Sequence, residues 1–262
     1  MPRRLAILAV LCLATTAAAS APAVTGPHRI YHLCYPDQIL RVTNRAGESL
    51  VIRNDVFGAD HECLLAFART GDFVVSKSTA TAAGSQAVAF PSIFYGCVWA
   101  ICSTGSKLPE PVTSAMHART SWVTQPVRPA GTWNTAYDIW FFLHRHPSGQ
   151  ANGAELMIWL NTTFPTPPRT RQVVRIGMFR YWFQHWRVCR VVRGQQHCWN
   201  YIQFRRIRAV SSVRDLELGP FIAFCERLKL IRSSWWLANV EAGWEIWKGG
   251  TGLRTMSFSV RP

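Results

Sequence analysis

The sequence lacks the long apolar segment that a membrane-spanning helix requires. Spanning a bilayer takes roughly 18 or more consecutive apolar residues, and no stretch of the 262 residues reaches that length. The N-terminal apolar run, Leu5 to Leu13, follows a short basic stretch and precedes the small residues Ala17 to Ala19. This order is typical of a secretory signal peptide. We therefore predict a signal over residues 1–23 and a secreted protein without a membrane anchor, with one domain over residues 24–262.

The sequence also lacks the cysteine and histidine patterns of metal sites. It contains no Cys-x-x-Cys pair and no histidine cluster at ligand spacing, so we predict neither a metal nor a cofactor. Seven of its eight cysteines remain after removal of the signal, and an oxidising destination favours disulfides. Cys97 and Cys102 have a spacing that suits a local bridge, and Cys34 and Cys63 are the next natural pair.

Acidic residues are scarce in this chain. There are 14 Asp and Glu against 29 Lys and Arg, which gives a net charge of +15. Such a protein is a candidate for binding nucleic acid or an anionic surface. The excess is local, because residues 169–208 contain ten arginines, no lysine and no acid, and without them the net charge falls to +5. The other segments contain no base-reading motif, so we do not predict a nucleic-acid partner.

Apolar and aromatic residues are abundant, and their arrangement favours strands. The chain is 48% hydrophobic and has twelve tryptophans, which is ample for one buried core. Between residues 24 and 130, short segments such as Ser49 to Arg53 and Gly71 to Ser76 are separated by Gly, Pro, Asn and Asp, without an internal repeat. This regular spacing predicts an all-β sandwich or jelly roll.

One segment, residues 219–230, has the pattern of a helix. Pro220 stands near its start, and an apolar stripe with i, i+3, i+4, i+7 spacing follows, made of Phe221, Phe224, Cys225 and Leu228. We expect Cys225 to be a buried small apolar side chain rather than a reactive thiol.

Two carboxylates stand in otherwise apolar, tryptophan-rich segments. Strand alternation between Ala154 and Leu160 places Glu155, Met157 and Trp159 on one face and the aliphatic residues on the core face. Glu245 lies between two tryptophans and is followed by a glycine pair. Glycosidases cut between two carboxylates, so both acids are candidate catalytic residues. The alternative for Glu155 is an ordinary edge or solvent-facing strand residue.

These motifs resemble those of a known family. Glu155-Leu156-Met157-Ile158-Trp159-Leu160 and Ala242-Gly243-Trp244-Glu245, with the Gly-Gly that follows, resemble the nucleophile and acid/base motifs of glycoside hydrolase family 12. Members are retaining endo-β-1,4-glucanases with a β-jelly-roll fold and one helix packed on the outer sheet. The resemblance implies a two-sheet β-jelly-roll sandwich with a single packed helix, in which Glu155 is the nucleophile and Glu245 the acid/base. The two cysteine pairs also resemble disulfides of bacterial members.

Two further segments extend the resemblance. Asn54-Asp55-Val56-Phe57-Gly58 is similar to a family segment whose Trp stacks on a glucosyl unit, and here Phe57 offers a smaller platform. Gly131 to Phe141 contains Asp138, which in the family hydrogen-bonds the nucleophile; an ordinary ion-paired Asp is the alternative. A hairpin would bring Asp138 beside Glu155. The residues assigned to substrate binding are Asn54, Phe57, Asn134, Met157 and Trp159.

The arginine-rich residues 169–208 interrupt the resemblance, which covers roughly residues 34–168 and 210–260. Three interpretations are open: a basic insertion for an anionic wall or membrane surface, ordinary strands with exposed arginines, or a local frame change. We favour the frame change, because the resemblance stops and resumes at preserved length. A bridge between Cys189 and Cys198 inside this segment is a guess.

The motifs together predict a secreted, monomeric endo-β-1,4-glucanase that cleaves cellulose-type β-glucan by double displacement. They do not distinguish cellulose from xyloglucan or mixed-linkage glucan. The alternative is a catalytically impaired protein that binds polysaccharide without cutting it. The other acids, Asp60, Glu62, Asp215 and Glu241, are expected at the surface or at caps.

Overall fold

A computed structural model describes residues 30–59, 61–68, 70–125, 129–145, 149, 152–165, 172–192 and 194–262. The predicted signal, the centre of the predicted hairpin loop at residues 146–148, Asp60 and the beginning of the arginine-rich segment lie outside these residues. No helix within the described ranges is long and apolar enough to cross a membrane.

Strands and helices are numbered in chain order. The strands that precede the catalytic motifs are β1 (Ile30–Leu33), β2 (Gln38–Thr43), β3 (Ser49–Asn54), β4 (Glu62–Phe67), β5 (Asp72–Ser78), β6 (Ser92–Val98), β7 (Ile101–Cys102), β8 (Glu110–Pro111) and β9 (Arg119–Thr124). The later strands are β10 (Gly131–Phe142), β11 (Ala154–Thr162), β12 (Val173–Ile176), β13 (Phe179–Val192), β14 (Gln195–Arg206), β15 (Ser212–Glu217), β16 (Trp236–Leu237), β17 (Asn239–Gly243), β18 (Ile246–Gly249) and β19 (Arg254–Arg261). The helices are α1 (Val112–Ala115) and α2 (Gly219–Arg227).

The strands form two sheets, as the predicted jelly roll requires. The smaller sheet has the order β1-β4-β5-β19-β9-β15, and the larger one has the order β12-β13-β14-β11-β10-β17-β6-β3-β2. Four short strands attach to the larger sheet: β7 to β6, β16 and β18 to β10, and β8 to β16. Strands β11 and β14 run parallel, whereas β10 pairs antiparallel with both β11 and β17. The candidate acids therefore lie at the centre of the larger sheet.

The main hydrophobic core lies between the two sheets. Trp122 on β9 is fully buried and meets the ring of Tyr137 on β10 edge-on at 5.5 Å. The aliphatic face of β11, with Leu156 and Ile158, belongs to the same core, as alternation predicts. Each such fully buried apolar side chain stabilises the fold by about 1.5–3 kcal/mol. The opposite face of β11 is left free to line a cleft.

Helix α2 packs on the larger sheet, on the face away from the cleft. Its Phe221 meets Tyr181 of β13 at 5.3 Å and Phe204 of β14 at 5.1 Å. The resemblance implied a helix on the outer sheet, and this placement was wrong. The helix packs instead on the aromatic side chains of β13 and β14 in the larger sheet, which it shields from solvent. The helix also ends at Arg227, and Leu228 is 45% exposed instead of completing the apolar stripe.

Three disulfides stabilise the sandwich. Cys34–Cys63 and Cys97–Cys102 are present, which confirms both predicted pairs. The third bridge, Cys189–Cys198, joins residues that lie opposite each other on β13 and β14. Cys225 is reduced and fully buried, and burial raises the pKa of its thiol. A buried neutral thiol is inert.

The arginine-rich segment forms regular strands of the larger sheet. Strand β14 pairs with β11, and β13 pairs with β14 over their whole shared length. Apolar residues on one face, among them Phe183 and Phe204, enter the main core, whereas Arg175, Arg180 and Arg190 are exposed. Such alternation on two neighbouring strands is not expected of a misread frame. The structure therefore supports ordinary strands with exposed arginines over the frame change that we favoured.

Candidate active site

The antiparallel pairing of β10 with β11 brings two of the predicted catalytic residues together. Asp138 lies opposite Met157, and Trp140 lies opposite Glu155. Asp138 and Glu155 are therefore diagonal neighbours on one face of the sheet. This face is the one that turns away from the main core, as the alternation of both segments predicts.

Glu155 is held by an indole from the arginine-rich segment. Trp199 Nε1 donates a hydrogen bond to Glu155 Oε2 at 2.6 Å. Burial raises the pKa of Glu155 above its usual value, and the charge of Glu245 raises it further, whereas the hydrogen bond from Trp199 and the charge of Arg190 lower it. The contact with Trp199 escaped the sequence analysis, because nothing in its neighbourhood resembled a motif.

Asp138 is buried behind the nucleophile candidate and is 9% exposed. Trp140 Nε1 donates to its Oδ2 at 2.9 Å, whereas Oδ1 has no hydrogen-bond partner among the described residues. Burial raises the pKa of Asp138 well above its usual value, and the charges of Glu155, Glu241 and Glu245 raise it further. A carboxyl in this setting favours its protonated form.

Glu245 lies in the short link between β17 and β18, where the side chain of Asn134 forms hydrogen bonds with both its carboxylate and its backbone. Asn134 Nδ2 donates to Glu245 Oε2, and the Glu245 backbone N–H donates to Asn134 Oδ1 at 3.0 Å. Burial raises the pKa of Glu245 to about 7, against the lowering effect of the Asn134 bond. Asn134 is itself fully buried. It is therefore placed to orient the acid/base candidate and not, as predicted, to bind a sugar hydroxyl.

The three acids form one electrostatic site. The charge of Glu245 raises the pKa values of both Glu155 and Asp138. Carboxyl groups that interact in this way share their protons and titrate as a unit. The structure thus brings together, from β10, β11 and the β17–β18 link, the residues that the sequence assigned to catalysis.

The aromatic side of the site differs from the prediction. Trp159 and Met157 are 8% and 2% exposed, because both pack into a second apolar cluster on the cleft face. Phe164 stacks on the Trp159 ring with centroids 6.2 Å apart, and Trp247 lies at 6.3 Å. Trp159 therefore supports the cleft floor and does not offer an open stacking face.

Two residues near the end of β3, Asn54 and Phe57, were both assigned to substrate binding but differ in exposure. Asn54 is fully buried, and its Nδ2 donates to the backbone oxygens of Tyr35 and Glu62 at 3.3 and 3.1 Å. It is not available to a sugar, so that assignment was wrong. Phe57 is 60% exposed and remains free to stack on one.

Comparison with known proteins identifies the family. Residues 49–261 match the family model described as Glycosyl hydrolase family 12. The chain belongs to this family. Endoglucanase S from Pectobacterium parmentieri is 31% identical over 177 residues, in a match that covers 63% of this chain and 61% of that protein. The match thus spans less than two thirds of the length of this relative.

Solved structures of family 12 enzymes have the same architecture. Endoglucanase cel12A from Rhodothermus marinus is 34% identical, with a TM-score of 0.76 over 88% of this chain and 97% of that one. A metagenome-derived glycoside hydrolase family 12 endoglucanase is 31% identical, with a TM-score of 0.75 over 89% and 97%. A family 12 xyloglucanase from Bacillus licheniformis, 22% identical with a TM-score of 0.73 over 88% and 99%, adds support for the fold alone.

A fourth acid of this family 12 protein, which was expected at the surface, lies beside the three acids of this site. Glu241 is 2% exposed and lies opposite Asp138 in the β10–β17 pair. Ser92 Oγ donates to its Oε1 at 2.5 Å. Burial raises the pKa of Glu241 to about 7, while the charge of Arg53 and the Ser92 bond lower it. Alternation with Glu245 was the signal that could have revealed it.

Two other acids that were expected at the surface differ in burial. Asp215 is exposed, as expected, and pairs with Arg261. Glu62 is 1% exposed, and neither carboxyl oxygen has a hydrogen-bond partner among the described residues. Burial raises its pKa to about 8. Within these residues, no group of three His, Cys, Asp or Glu side chains is arranged to hold a metal ion.

The cleft wall of this family 12 chain comes from the segment that lacked resemblance. Tyr201 lies opposite Glu155 in the β11–β14 pair, and its hydroxyl accepts a hydrogen bond from Gln203 Nε2 at 3.4 Å. Gln184 of β13 donates in turn to Gln203. Trp186 stacks on Tyr201 with ring centroids 4.2 Å apart. These polar and aromatic side chains form a surface beside the candidate catalytic acids.

Proposed function

We propose that this protein is a secreted endo-β-1,4-glucanase that cleaves internal bonds of cellulose-type β-glucans with retention of anomeric configuration. The observation that supports the proposal most directly is the common electrostatic site of Glu155, Asp138 and Glu245. Membership of family 12 and the sequence identity of 31% and 34% with two endoglucanases also support the proposal.

In the first step, Glu155 attacks the anomeric carbon and displaces the glycosidic oxygen. The Trp199 N–H and the Arg190 charge both favour the carboxylate form that attack requires. Glu245 protonates the departing oxygen, and with a pKa of about 7 it retains its proton over much of the acidic and neutral range. In the second step, Glu245 takes a proton from water, whose oxygen attacks the anomeric carbon and releases Glu155.

Asp138 holds the proton that lets Glu155 stay ionised. Two adjacent buried carboxylates repel each other, so one of them is protonated. Burial raises the pKa of Asp138, three neighbouring carboxylates raise it further, and among the described residues only the Trp140 hydrogen bond lowers it. Glu155 has both the Trp199 donor and the Arg190 charge. We therefore assign the shared proton to Asp138.

Export is supported by two features, the N-terminal signal pattern and three disulfides. Disulfides persist in oxidising compartments. All three proposed catalytic residues come from one chain, so the reaction needs no second copy and we propose that the monomer is active.

Hydrolysis of hydroxyethyl cellulose by wild type, Glu155→Gln and Glu245→Gln tests the assignment. We expect both variants to lose at least about 1,000-fold in kcat, since each removes a group that touches the reacting atoms, and to keep the circular dichroism spectrum of the wild type. Proton NMR of the first product should show the β-anomer, and viscosity should fall faster than reducing ends appear. Normal turnover by Glu155→Gln would refute the assignment.

A pull-down on cellulose completes the test. Wild-type protein that binds the polysaccharide but releases no reducing sugar would be the impaired binder that the sequence left as the alternative. An α-anomeric first product would instead leave a glucanase but exclude retention.

A further inference from the structure

The arginine-rich strands present one face to the cleft, and hydrogen bonds identify which face it is. Gln184 on β13 donates to Gln203 on β14, and Gln203 donates to the hydroxyl of Tyr201. Tyr201 lies opposite Glu155. Because side chains alternate along a strand, the even-numbered residues of β13 share the cleft face with Gln184. The odd-numbered ones lie on the opposite face, where Tyr181 and Phe183 enter the core.

These even-numbered residues combine cations with flat rings. Arg175 on β12 is the register partner of Arg180 on β13 and lies on the same face. We call this surface the arginine wall and define it as Arg175, Arg180, Trp182, Gln184, Trp186 and Arg190. Arg175, Arg180 and Arg190 are exposed, and so is Trp186, at 45%.

Among the described residues, no acidic side chain forms an ion pair with an arginine of the arginine wall. Residues 169–208 contain no Asp or Glu. The ion pairs found among the described residues involve Arg53, Arg119, Arg254 and Arg261, and none uses an arginine of the wall. The field of the wall reaches the catalytic site, since the Arg190 charge lowers the pKa of Glu155. An anion bound against the arginine wall would therefore lie close to these positive charges.

We propose that the arginine wall binds carboxylate groups carried by the glucan, so that the preferred substrate is an anionic β-glucan with uronic acid or other acidic substituents. This inference rests on the proposed glucanase function. The exposed ring of Trp186 suits a sugar face, and exposed guanidinium groups pair with carboxylates.

A chain with sparse charges fits this cleft better than a uniform polyanion does. The floor beside the wall contains Glu155, Asp138, Glu241 and Glu245. A nucleic acid, with a phosphate at every residue, would place some phosphates against these acids. A neutral glucan backbone with occasional carboxylates meets the acids through uncharged sugars and the arginines through its substituents.

The test compares carboxymethyl cellulose with hydroxyethyl cellulose of matched chain length, using the full secreted protein. The readout is the ratio of kcat/KM on the anionic substrate to that on the neutral one. We expect Arg175→Gln/Arg180→Gln to lower this ratio about 3- to 10-fold at low ionic strength, since each exposed ion pair changes affinity by a small factor. Added salt near 0.5 M should lower the wild-type ratio to that of the variant.

Two matched variants distinguish local charge from other effects. Arg214→Gln/Arg232→Gln removes the same charge from exposed positions on β15 and after α2, and it should leave the ratio unchanged. Arg175→Lys/Arg180→Lys should keep most of the wild-type ratio. An unchanged ratio in Arg175→Gln/Arg180→Gln, or an equal decrease in Arg214→Gln/Arg232→Gln, would overturn the inference.

The remaining outcomes separate this inference from the proposed function. Cleavage of both glucans with a ratio insensitive to salt would leave a glucanase and reject the wall. Cleavage of neither would reject the proposed function. Tighter binding of single-stranded DNA than of carboxymethyl cellulose to the Glu155→Gln protein, measured by anisotropy competition at the same ionic strength, would also overturn the inference in favour of nucleic acid.

Discussion

Removing one N–H group beside the nucleophile candidate tests how this site works. Trp199→Phe deletes the donor that lies 2.6 Å from Glu155 Oε2 and keeps an aromatic ring between Trp140 and Arg190. A hydrogen bond to a charged group contributes about 1.5–3 kcal/mol. If Glu155 reacts as a carboxylate, its loss should lower kcat/KM at neutral pH by about 10- to 150-fold.

The pH profile provides the more specific readout. Loss of the donor disfavours the ionised form of Glu155, so its pKa rises by about 1–2 units. The acidic limb of kcat/KM on hydroxyethyl cellulose should therefore move to higher pH, and part of the lost rate should return as the pH is raised. Recovery is limited on the alkaline side, because Glu245, with a pKa of about 7, loses the proton that the leaving group needs.

Trp122→Phe is a suitable control for this substitution. Trp122 is fully buried in the main core and donates its own indole N–H to Thr255 at 3.1 Å. This variant should lose stability without a change in the acidic limb. A Trp199→Phe enzyme with the wild-type pH profile would refute the reasoning, even if its kcat were lower.

Four further predictions follow from the structure. Phe57→Ala should raise KM on hydroxyethyl cellulose about 2- to 10-fold with little change in kcat, because the 60% exposed ring is lost as a stacking surface; an unchanged KM would exclude it from the cleft. Cys189→Ser/Cys198→Ser should lower the free energy of unfolding in urea by about 2.5 kcal/mol, because the bridge closes a loop with a sequence separation of nine residues. The variant should also have a lower kcat, because Cys198 is adjacent to Trp199, whose indole binds the nucleophile candidate. A wild-type kcat would show that the bridge does not affect catalysis. Glu241→Gln should lower the pKa of the neighbouring aspartate in a carboxyl-carbon NMR titration, because a charge that raises this pKa is removed; an unchanged pKa would contradict that coupling. Glu62 has a pKa of about 8 in the folded protein and an ordinary value of 4.5, so between these pH values the folded state keeps a proton that the unfolded chain releases. The Tm of the wild type should therefore fall from pH 5 to pH 8, and the Tm of Glu62→Gln should fall less. Equal slopes would show that Glu62 is ionised in the folded protein without a loss of stability.

Local alternation explains why the face of β11 that carries the candidate nucleophile was predictable. A strand has only two faces, and the aliphatic residues of β11 show which one is buried, so the direction of Glu155 follows from its immediate neighbours. The motif around Glu245 is similarly compact. Pairing of Cys97 with Cys102 depends on five residues of chain. Such features require no knowledge of distant contacts.

Burial and hydrogen-bond partners were the properties that local patterns misjudged. Asn54 and Asn134 are polar and near motifs, yet both are fully buried and bound to other protein groups. Glu241 was expected at the surface, but it is an interior residue because β10 and β6 lie on the two sides of β17 and Arg53 lies nearby. These outcomes depend on which strands lie next to each other in the sheet.

By itself, the sequence determined the all-β class, two disulfides, the helix near residue 219 and the choice of two glutamates as catalytic candidates, because each depends on residues close together in the chain. Only the tertiary structure decided that Trp199 binds Glu155, that Asn134 holds Glu245, and that the arginine-rich segment forms a cleft wall. These contacts join strands far apart in sequence. Their existence depends on strand order and register, which alternation within a single strand does not specify.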